Sequence, residues 1–193
     1  METKKLKSLV DKDDVNSSDN SGDSSRDNHR WPAGTCAIIG DSILTGMEKN
    51  RFQNIGRKVK IFDHSSATID DLHHHIIPIL KRKPDHIIIH VGTNDAVSKT
   101  SRQILDDLLQ LKNEILKTLP NCNIIISKPT MRVDNGKAAL TLKHLNEHLS
   151  QLKVDSIDNS NIKSMHIGRK GLHLSNKGKD KLALNFFHKI RNF

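Results

Sequence analysis

Residues 35–44 read TCAIIGDSIL, an apolar run that ends directly in Gly40, Asp41 and Ser42. Three further runs of this kind are residues 59–62 (VKIF), 86–91 (HIIIHV) and 123–127 (NIIIS). Short β-branched runs without regular polar alternation are typical of strands that are covered on both faces. The segments between and after them place apolar residues at helical spacing, over 69–80, 104–119, 138–152 and 182–190. This alternation predicts an α/β protein with a parallel sheet between two layers of helices.

The chain has 193 residues, enough for one domain of ordinary size. Residues 1–30 are rich in Ser, Asp and Asn and carry too little apolar surface to offset the entropy of ordering them. We therefore predict a disordered N-terminal arm over 1–30 and one folded domain over 31–193. No apolar run approaches the roughly 18 residues of a membrane-spanning helix, and no secretory signal is evident. An intracellular, cytoplasmic protein without a membrane span is expected.

The charge is unevenly distributed. The whole chain carries 31 basic and 22 acidic residues, a net charge of +9, and the excess lies entirely in residues 31–193. Such an excess can attract nucleic acid or an anionic surface, but because the lysines are spread over many segments, a solvated basic surface is the preferred interpretation. Cys36 and Cys122 stand inside apolar stretches and predict buried free thiols rather than a disulfide or a zinc site. Residues 73–75 (HHH) are consecutive on a predicted helix and cannot all face one metal ion.

Polar residues follow three of the predicted strands. Asp41 and Ser42 follow the first strand, Ser66 lies just after the second, and Asn94 follows the third. Because the carboxyl ends of parallel strands meet at one edge of a sheet, these residues are expected to line that edge. His173 stands shortly before the last predicted helix and can reach the same edge. We expect Ser42, Ser66, Asn94 and His173 to converge there.

These residue types suit acyl transfer. A serine at a strand-to-helix turn exposes its hydroxyl near the positive end of a helix, which favours a nucleophile, and His173 can act as its general base. The Asn94 amide can donate to a developing oxyanion. Each feature alone also has a structural interpretation, because Asp and Ser are common helix caps and Gly, Asn and Asp are common in turns. The three features together, in this order, favour the catalytic interpretation.

The combination resembles the SGNH hydrolases, also called GDSL-type esterases and lipases. The matching motifs are residues 40–44 (GDSIL), 92–95 (GTND) and 171–174 (GLHL), and the resemblance covers residues 34–193. More narrowly, the chain is similar to SGNH domains of retroelement-derived proteins of invertebrates. The resemblance implies a flavodoxin-like, three-layer α/β/α fold and hydrolysis of a small-molecule or carbohydrate ester, without metal or cofactor. It leaves the acyl group and the oligomeric state open.

The resemblance also implies roles for individual residues. By this resemblance, Ser42 is the nucleophile that forms an acyl-serine intermediate and His173 is its base. The oxyanion hole would be formed by Ser42, Ser66 and Asn94. Three further residues would support the motifs: Asp41, Gly92 and Asp95.

Two positions depart from the family pattern. Ser66 stands where the family has a glycine, and a turn there with positive φ would be strained. Lys170 stands three residues before His173, where the family has the aspartate that orients the imidazole. In serine proteases, which use the same kind of triad, losing that carboxylate lowers kcat by about 10⁴. The alternative function is therefore a catalytically weakened SGNH domain that binds nucleic acid or carbohydrate within a retroelement-derived protein.

The predicted arm can be tested by truncation. Deleting residues 1–30 should leave the melting temperature nearly unchanged, because no core contact is lost. Thermal unfolding of the full and the truncated chains measures this. A fall of several degrees on truncation would show that the arm packs against the domain.

Overall fold

Five parallel strands form the centre of the structure. The computed structural model describes residues 30–53 and 55–193. The strands are β1 (Cys36–Gly40), β2 (Val59–Asp63), β3 (His86–His90), β4 (Asn123–Ser127) and β5 (Ser156–Ile157). They lie in the order β2-β1-β3-β4-β5, and every pairing is parallel. The predicted parallel sheet is confirmed.

Helices cover both faces of this sheet. They are α1 (Ile69–His75), α2 (Ile77–Leu80), α3 (Ser101–Thr118), α4 (Gly136–Gln151) and α5 (Asn176–Arg191). Buried side chains of α1 to α4 share one core with one face of the sheet, and those of α5 share a second core with the other face. The arrangement is the predicted three-layer α/β/α fold.

The central strands supply both cores at once. Successive side chains of a strand point to opposite faces, so neighbouring isoleucines in one strand enter different cores. Ile39 and Ile89 contribute to the core beneath α1 to α4, whereas Ile38 and Ile88 contribute to the core beneath α5. All four side chains are fully buried. This two-sided burial explains why β1 and β3 lack the polar alternation of half-exposed strands.

Gly40 sets the level at which the chain leaves the sheet. It pairs in register with Asp63 of β2 and His90 of β3. A Cβ at Gly40 would lie 2.0 Å from the His90 carbonyl oxygen, so only glycine allows β1 to approach β3 this closely. The ends of three strands are thereby aligned, and the residues that follow them start from one level.

The structure corrects two details of the predicted elements. The segment 69–80 was expected as one helix, but it divides at Ile76 into α1 and α2. Pro78 lacks the N–H that would donate to the His74 carbonyl, so the helix cannot continue without a break. The two-residue strand β5 was not predicted, because so short a run has no periodicity to recognise.

Other expectations differ in outcome. Cys36 and Cys122 are free and buried as predicted, and burial raises the pKa of both thiols.

The predicted arm lies outside the described residues except for Arg30, which donates a hydrogen bond to the Asp85 carboxylate at 3.1 Å. The division into an arm and a domain stays a prediction. Among the helices of residues 30–53 and 55–193, none is long and apolar enough to cross a membrane.

Candidate active site

Ser42 lies directly after β1, at the carboxyl edge of the sheet. The Asp41 carboxylate accepts a hydrogen bond from the Ile43 N–H at 2.9 Å and caps the turn that follows. This turn is a 3₁₀ turn of three residues, Ser42–Leu44. Ser42 therefore lacks the field of a long helix, and its hydroxyl contacts a side-chain partner.

His173 is that partner. Its Nε2 atom lies 3.0 Å from the Ser42 Oγ, a hydrogen-bond distance. The His173 carbonyl accepts from the Gly168 N–H at 2.6 Å, which closes the loop that carries the imidazole. Ser175, two residues later, caps α5 and donates from its N–H and its hydroxyl to the His166 carbonyl at 2.9 and 3.0 Å. The imidazole is thus held by a loop that is fixed at both ends.

A carboxylate partner of the imidazole is missing from the part of the chain that the structure describes. The side-chain hydrogen bond found for His173 is the one with Ser42. Lys170 is exposed and cannot accept the imidazole N–H. Whatever orients the ring must act through the loop itself.

Arg132 braces this loop, and the sequence analysis did not identify it. Its side chain is 6% exposed. Nε and Nη2 donate to the two carboxylate oxygens of Asp134 at 2.8 and 2.6 Å, and Nη1 donates to the Thr93 carbonyl at 2.9 Å. The paired guanidinium lowers the pKa of Asp134. A buried guanidinium that donates three hydrogen bonds in this way restrains the segments that it contacts.

The brace reaches the His173 loop through the neighbouring backbone. The Val133 N–H donates to the Gly171 carbonyl at 2.7 Å. Gly171 has φ +79°, and a Cβ there would lie 2.8 Å from the Asp134 nitrogen. Arg132 therefore connects the loop after β3, through Thr93, to the loop that carries His173. Its place in the segment after β4, at the carboxyl edge of the sheet, is the one signal that the sequence offers for Arg132.

Ser66 and Asn94 meet at a second turn of the same edge. Ser66 has φ +59°, the conformation that a glycine would adopt without strain, so the departure noted in the sequence has a structural cost. The Asn94 Nδ2 donates to the carbonyl of Ala67, the next residue, at 2.9 Å. This bond ties the Ser66 turn to the loop after β3. The structure thus joins Ser42 to His173, and Asn94 to the Ser66 turn.

Asp95 and Gly92 shape the loop that carries Asn94. Gly92 has φ +111°, which side chains rarely adopt. The buried Asp95 carboxylate accepts from the Ile69 N–H at 3.2 Å and lies 3.3 Å from the Lys99 Nζ. Burial raises the pKa of Asp95, and the Lys99 ammonium opposes this. Asp95 therefore anchors the start of α1 to the loop after β3.

Asp41 is buried beneath Ser42. Burial raises the pKa of its carboxyl to about 7, against the hydrogen bond from Ile43, and the nearby Asp95 charge raises it further. The Oδ2 atom has no hydrogen-bond partner among the described residues. An uncompensated buried carboxylate is costly, so the protonated form is favoured up to neutral pH.

Comparisons with known proteins agree with this architecture. No family model matches the chain, and no curated protein matches it. Solved structures with the same fold include a lipase/acylhydrolase from Enterococcus faecalis, at 19% identity and TM-score 0.67, which covers 82% of this chain and 95% of that one. A GDSL-like lipase from Bacteroides thetaiotaomicron matches at 13% identity and TM-score 0.69, covering 82% and 88%. A catalytic mutant of an acetylxylan esterase from Geobacillus stearothermophilus matches at 16% identity and TM-score 0.65, covering 83% and 96%. The chain has the SGNH hydrolase fold.

The strain at Ser66 gives a stability prediction. Ser66→Gly should raise the free energy of unfolding by about 1 kcal/mol, because glycine removes the left-handed penalty of a side chain. Urea denaturation measures the change. Ser65→Gly is the control: Ser65 does not have positive φ, so glycine there should bring no gain. An equal change in the free energy of unfolding in both variants, whether a gain or a loss, would contradict the assignment of strain to Ser66.

Burial of Asp41 gives a pH prediction. The folded pKa is about 7 and the ordinary value is 3.8, so between these values the folded state holds a proton that the unfolded state has lost. The contribution of Asp41 to the free energy of unfolding is fully present below pH 3.8 and is lost as the pH rises through 7. The stability of Asp41→Asn relative to the natural chain should therefore increase from pH 4 to 7, by at most about 1.4 kcal/mol per pH unit.

Urea titrations at several pH values measure this difference. Asp106→Asn, an exposed carboxylate on α3, controls for the removal of one negative charge. A difference that stays constant or decreases with pH would show that Asp41 is charged in the folded state.

Proposed function

We propose that this chain is a serine ester hydrolase of the SGNH type that acts through an acyl-serine intermediate. The observation that carries the proposal is the 3.0 Å distance between the Ser42 Oγ and the His173 Nε2 at the carboxyl edge of the sheet. A nucleophile and a base at hydrogen-bond distance are the minimal unit of covalent acyl transfer. Membership of the SGNH family, and an ester as the substrate, are part of the proposal.

The proposed reaction begins at Ser42. His173 with a free Nε2 lone pair takes the hydroxyl proton as Oγ attacks the ester carbonyl carbon. The carbonyl oxygen gains negative charge, which the backbone N–H groups of Ser42 and Ser66 and the Asn94 amide would stabilise. The protonated His173 then gives its proton to the leaving alcohol oxygen, and the acyl group stays on Ser42. Water, deprotonated by His173, hydrolyses this acyl-serine and restores both residues.

Orientation of the imidazole is the weak part of this machinery. Without an aspartate at position 170, the ring is positioned by its loop and by the Arg132 brace rather than by a carboxylate contact. The imidazolium that forms during the reaction would lack a direct counter-charge. We expect slow turnover, because this charge is the one a triad aspartate stabilises.

A second candidate function rests on two sequence observations. Lys170 replaces the orienting aspartate, and residues 31–193 are strongly basic. Both favour a weakened domain that binds nucleic acid or carbohydrate, as would suit the narrower resemblance to retroelement-derived proteins and an intracellular location. The hydrogen bond between Ser42 and His173 favours the hydrolase, because a binding surface has no use for it.

Hydrolysis of p-nitrophenyl acetate tests the proposal. Ser42→Ala should abolish the activity, and Asn94→Ala should lower kcat by about 10² to 10³ through loss of an oxyanion donor. Lys170→Asp should raise kcat on this neutral ester, because it supplies an acceptor for the imidazole N–H. Release of nitrophenolate measures all three.

A fluorophosphonate probe supplies an independent readout. It should label Ser42 in the natural chain and fail to label Ser42→Ala, since the probe reports the nucleophile without requiring turnover. Absence of both hydrolysis and labelling, in the natural chain and in Lys170→Asp, would reject the hydrolase. Salt-sensitive RNA binding under those conditions would favour the second candidate.

A further inference from the structure

The segment that carries His173 is basic and contains no acidic residue. Four cations lie between Ser164 and Lys179, and there is no Asp or Glu among these sixteen positions; the cations are Arg169, Lys170, Lys177 and Lys179. None of the four forms an ion pair with a carboxylate in residues 30–53 and 55–193. The positive charge of this segment is therefore uncompensated.

These cations lie on the two segments on either side of His173. Arg169 and Lys170 occupy the tip of the loop that the bond from the Gly168 N–H to the His173 carbonyl closes. Lys177 and Lys179 lie in the first turn of α5. The Lys179 Nζ is 3.1 Å from the place where a Cβ on Gly46 would stand, just after the turn that holds Ser42. Two of the cations are thus carried by the loop of His173 and two by the start of α5, where Lys179 approaches the segment that follows Ser42.

The arrangement has no structural benefit. A helix N-terminus carries a partial positive charge, so lysines in the first turn are unfavourable. Asp70 and Asp71 lie in the first turn of α1, whereas α5, like α3 and α4, has no acidic residue there. The lysines of α5 differ from the first-turn cations of α3 and α4 in following the loop of His173 directly, and positive charge at the rim of a candidate site favours an anionic ligand.

Carboxylates near the site do not cancel this charge. Asp134 is neutralised by Arg132, and Asp41 is buried beneath the turn. Asp63 is the remaining exposed carboxylate at the end of β2, where it accepts from the Thr45 hydroxyl at 2.8 Å. Asp180, directly after Lys179, pairs with Arg51. Asp63 is therefore the carboxylate that remains against the four cations. The rim retains an excess of positive charge.

We propose that the site prefers anionic esters, with a carboxylate, phosphate or sulfate close to the scissile bond. The inference rests on the proposed function, and it gives Lys170 a positive role. A family aspartate at this position would repel such a substrate from the imidazole, whereas Lys170 attracts it. With Lys170, His173 loses the carboxylate that would orient its ring, and the site gains a cation that attracts an anionic substrate.

Two matched substrates test this inference. They are p-nitrophenyl acetate and its analogue with a carboxylate on the nitrophenyl ring, and each rate is divided by the rate of spontaneous hydrolysis. The anionic ester should have a kcat/KM at least about fivefold higher at low salt, because cations at the rim raise its local concentration. The ratio should fall towards one between about 20 and about 300 mM NaCl, as screening shortens the reach of the charges.

A charge-neutral variant assigns the effect to the rim. Arg169→Gln with Lys170→Gln should reduce the anionic-to-neutral ratio about threefold or more, since half of the four cations are removed. Lys81→Gln with Arg82→Gln is the matched control: it removes the same two charges after α2, at the opposite edge of the sheet, and should leave the ratio unchanged.

The outcomes separate this inference from the proposed function. Hydrolysis of both esters at a ratio near one, independent of salt, would overturn the anionic preference and leave the hydrolase in place. Equal effects of the two double variants would overturn it as well, by assigning the preference to overall charge. If neither ester is hydrolysed and Ser42 is not labelled, the hydrolase fails and the inference fails with it.

Discussion

The contact between Gly40 and the His90 carbonyl determines where everything else at the carboxyl edge can lie. It allows β1 to stay close to β3 at the last residue of both strands, so Asp41 and Ser42 begin at the level where Val91 and Gly92 begin. Asp41 then caps the 3₁₀ turn, and Ser42 is presented to His173. A larger residue at position 40 would push β1 away from β3 and shift Asp41 and Ser42 out of line with Val91 and Gly92. The clash would be with the His90 backbone, which cannot move aside as a flexible side chain can.

The site is held together mainly by hydrogen bonds to the backbone of neighbouring loops, and less by contacts between its own side chains. Asn94 is tied to the Ser66 turn through the Ala67 carbonyl, and Arg132 ties the loop after β3 to the loop of His173. The bond between Ser42 and His173 adds a direct side-chain contact to these ties. Orientation that comes from the loops is less local than a carboxylate contact, since it depends on several backbone bonds at once.

The strand ends could be predicted because they combine two strong signals, an apolar run and a polar turn. Ser42 and Asn94 were found in this way, His173 was placed by its position before the last predicted helix, and the parallel sheet followed from the alternation of elements. Arg132 could not be found by periodicity, because an isolated arginine after a strand resembles any surface cation until its burial is known. The family glycine at position 66 indicates that a positive φ would be strained there, but the serine itself gives no sign of the backbone conformation that it adopts.

Two buried titratable groups next to Gly40 have opposite effects on stability. Burial lowers the pKa of His90 to about 4, so between pH 4 and 6.5 the unfolded state binds a proton that the folded state does not, and stability rises with pH. Over the same interval the folded state holds the Asp41 proton, and stability falls with pH. Each slope is about 1.4 kcal/mol per pH unit at most, with opposite sign, so the two contributions largely cancel. Because both groups are neutral throughout this interval, the buried layer beneath Ser42 keeps a constant charge in mild acid.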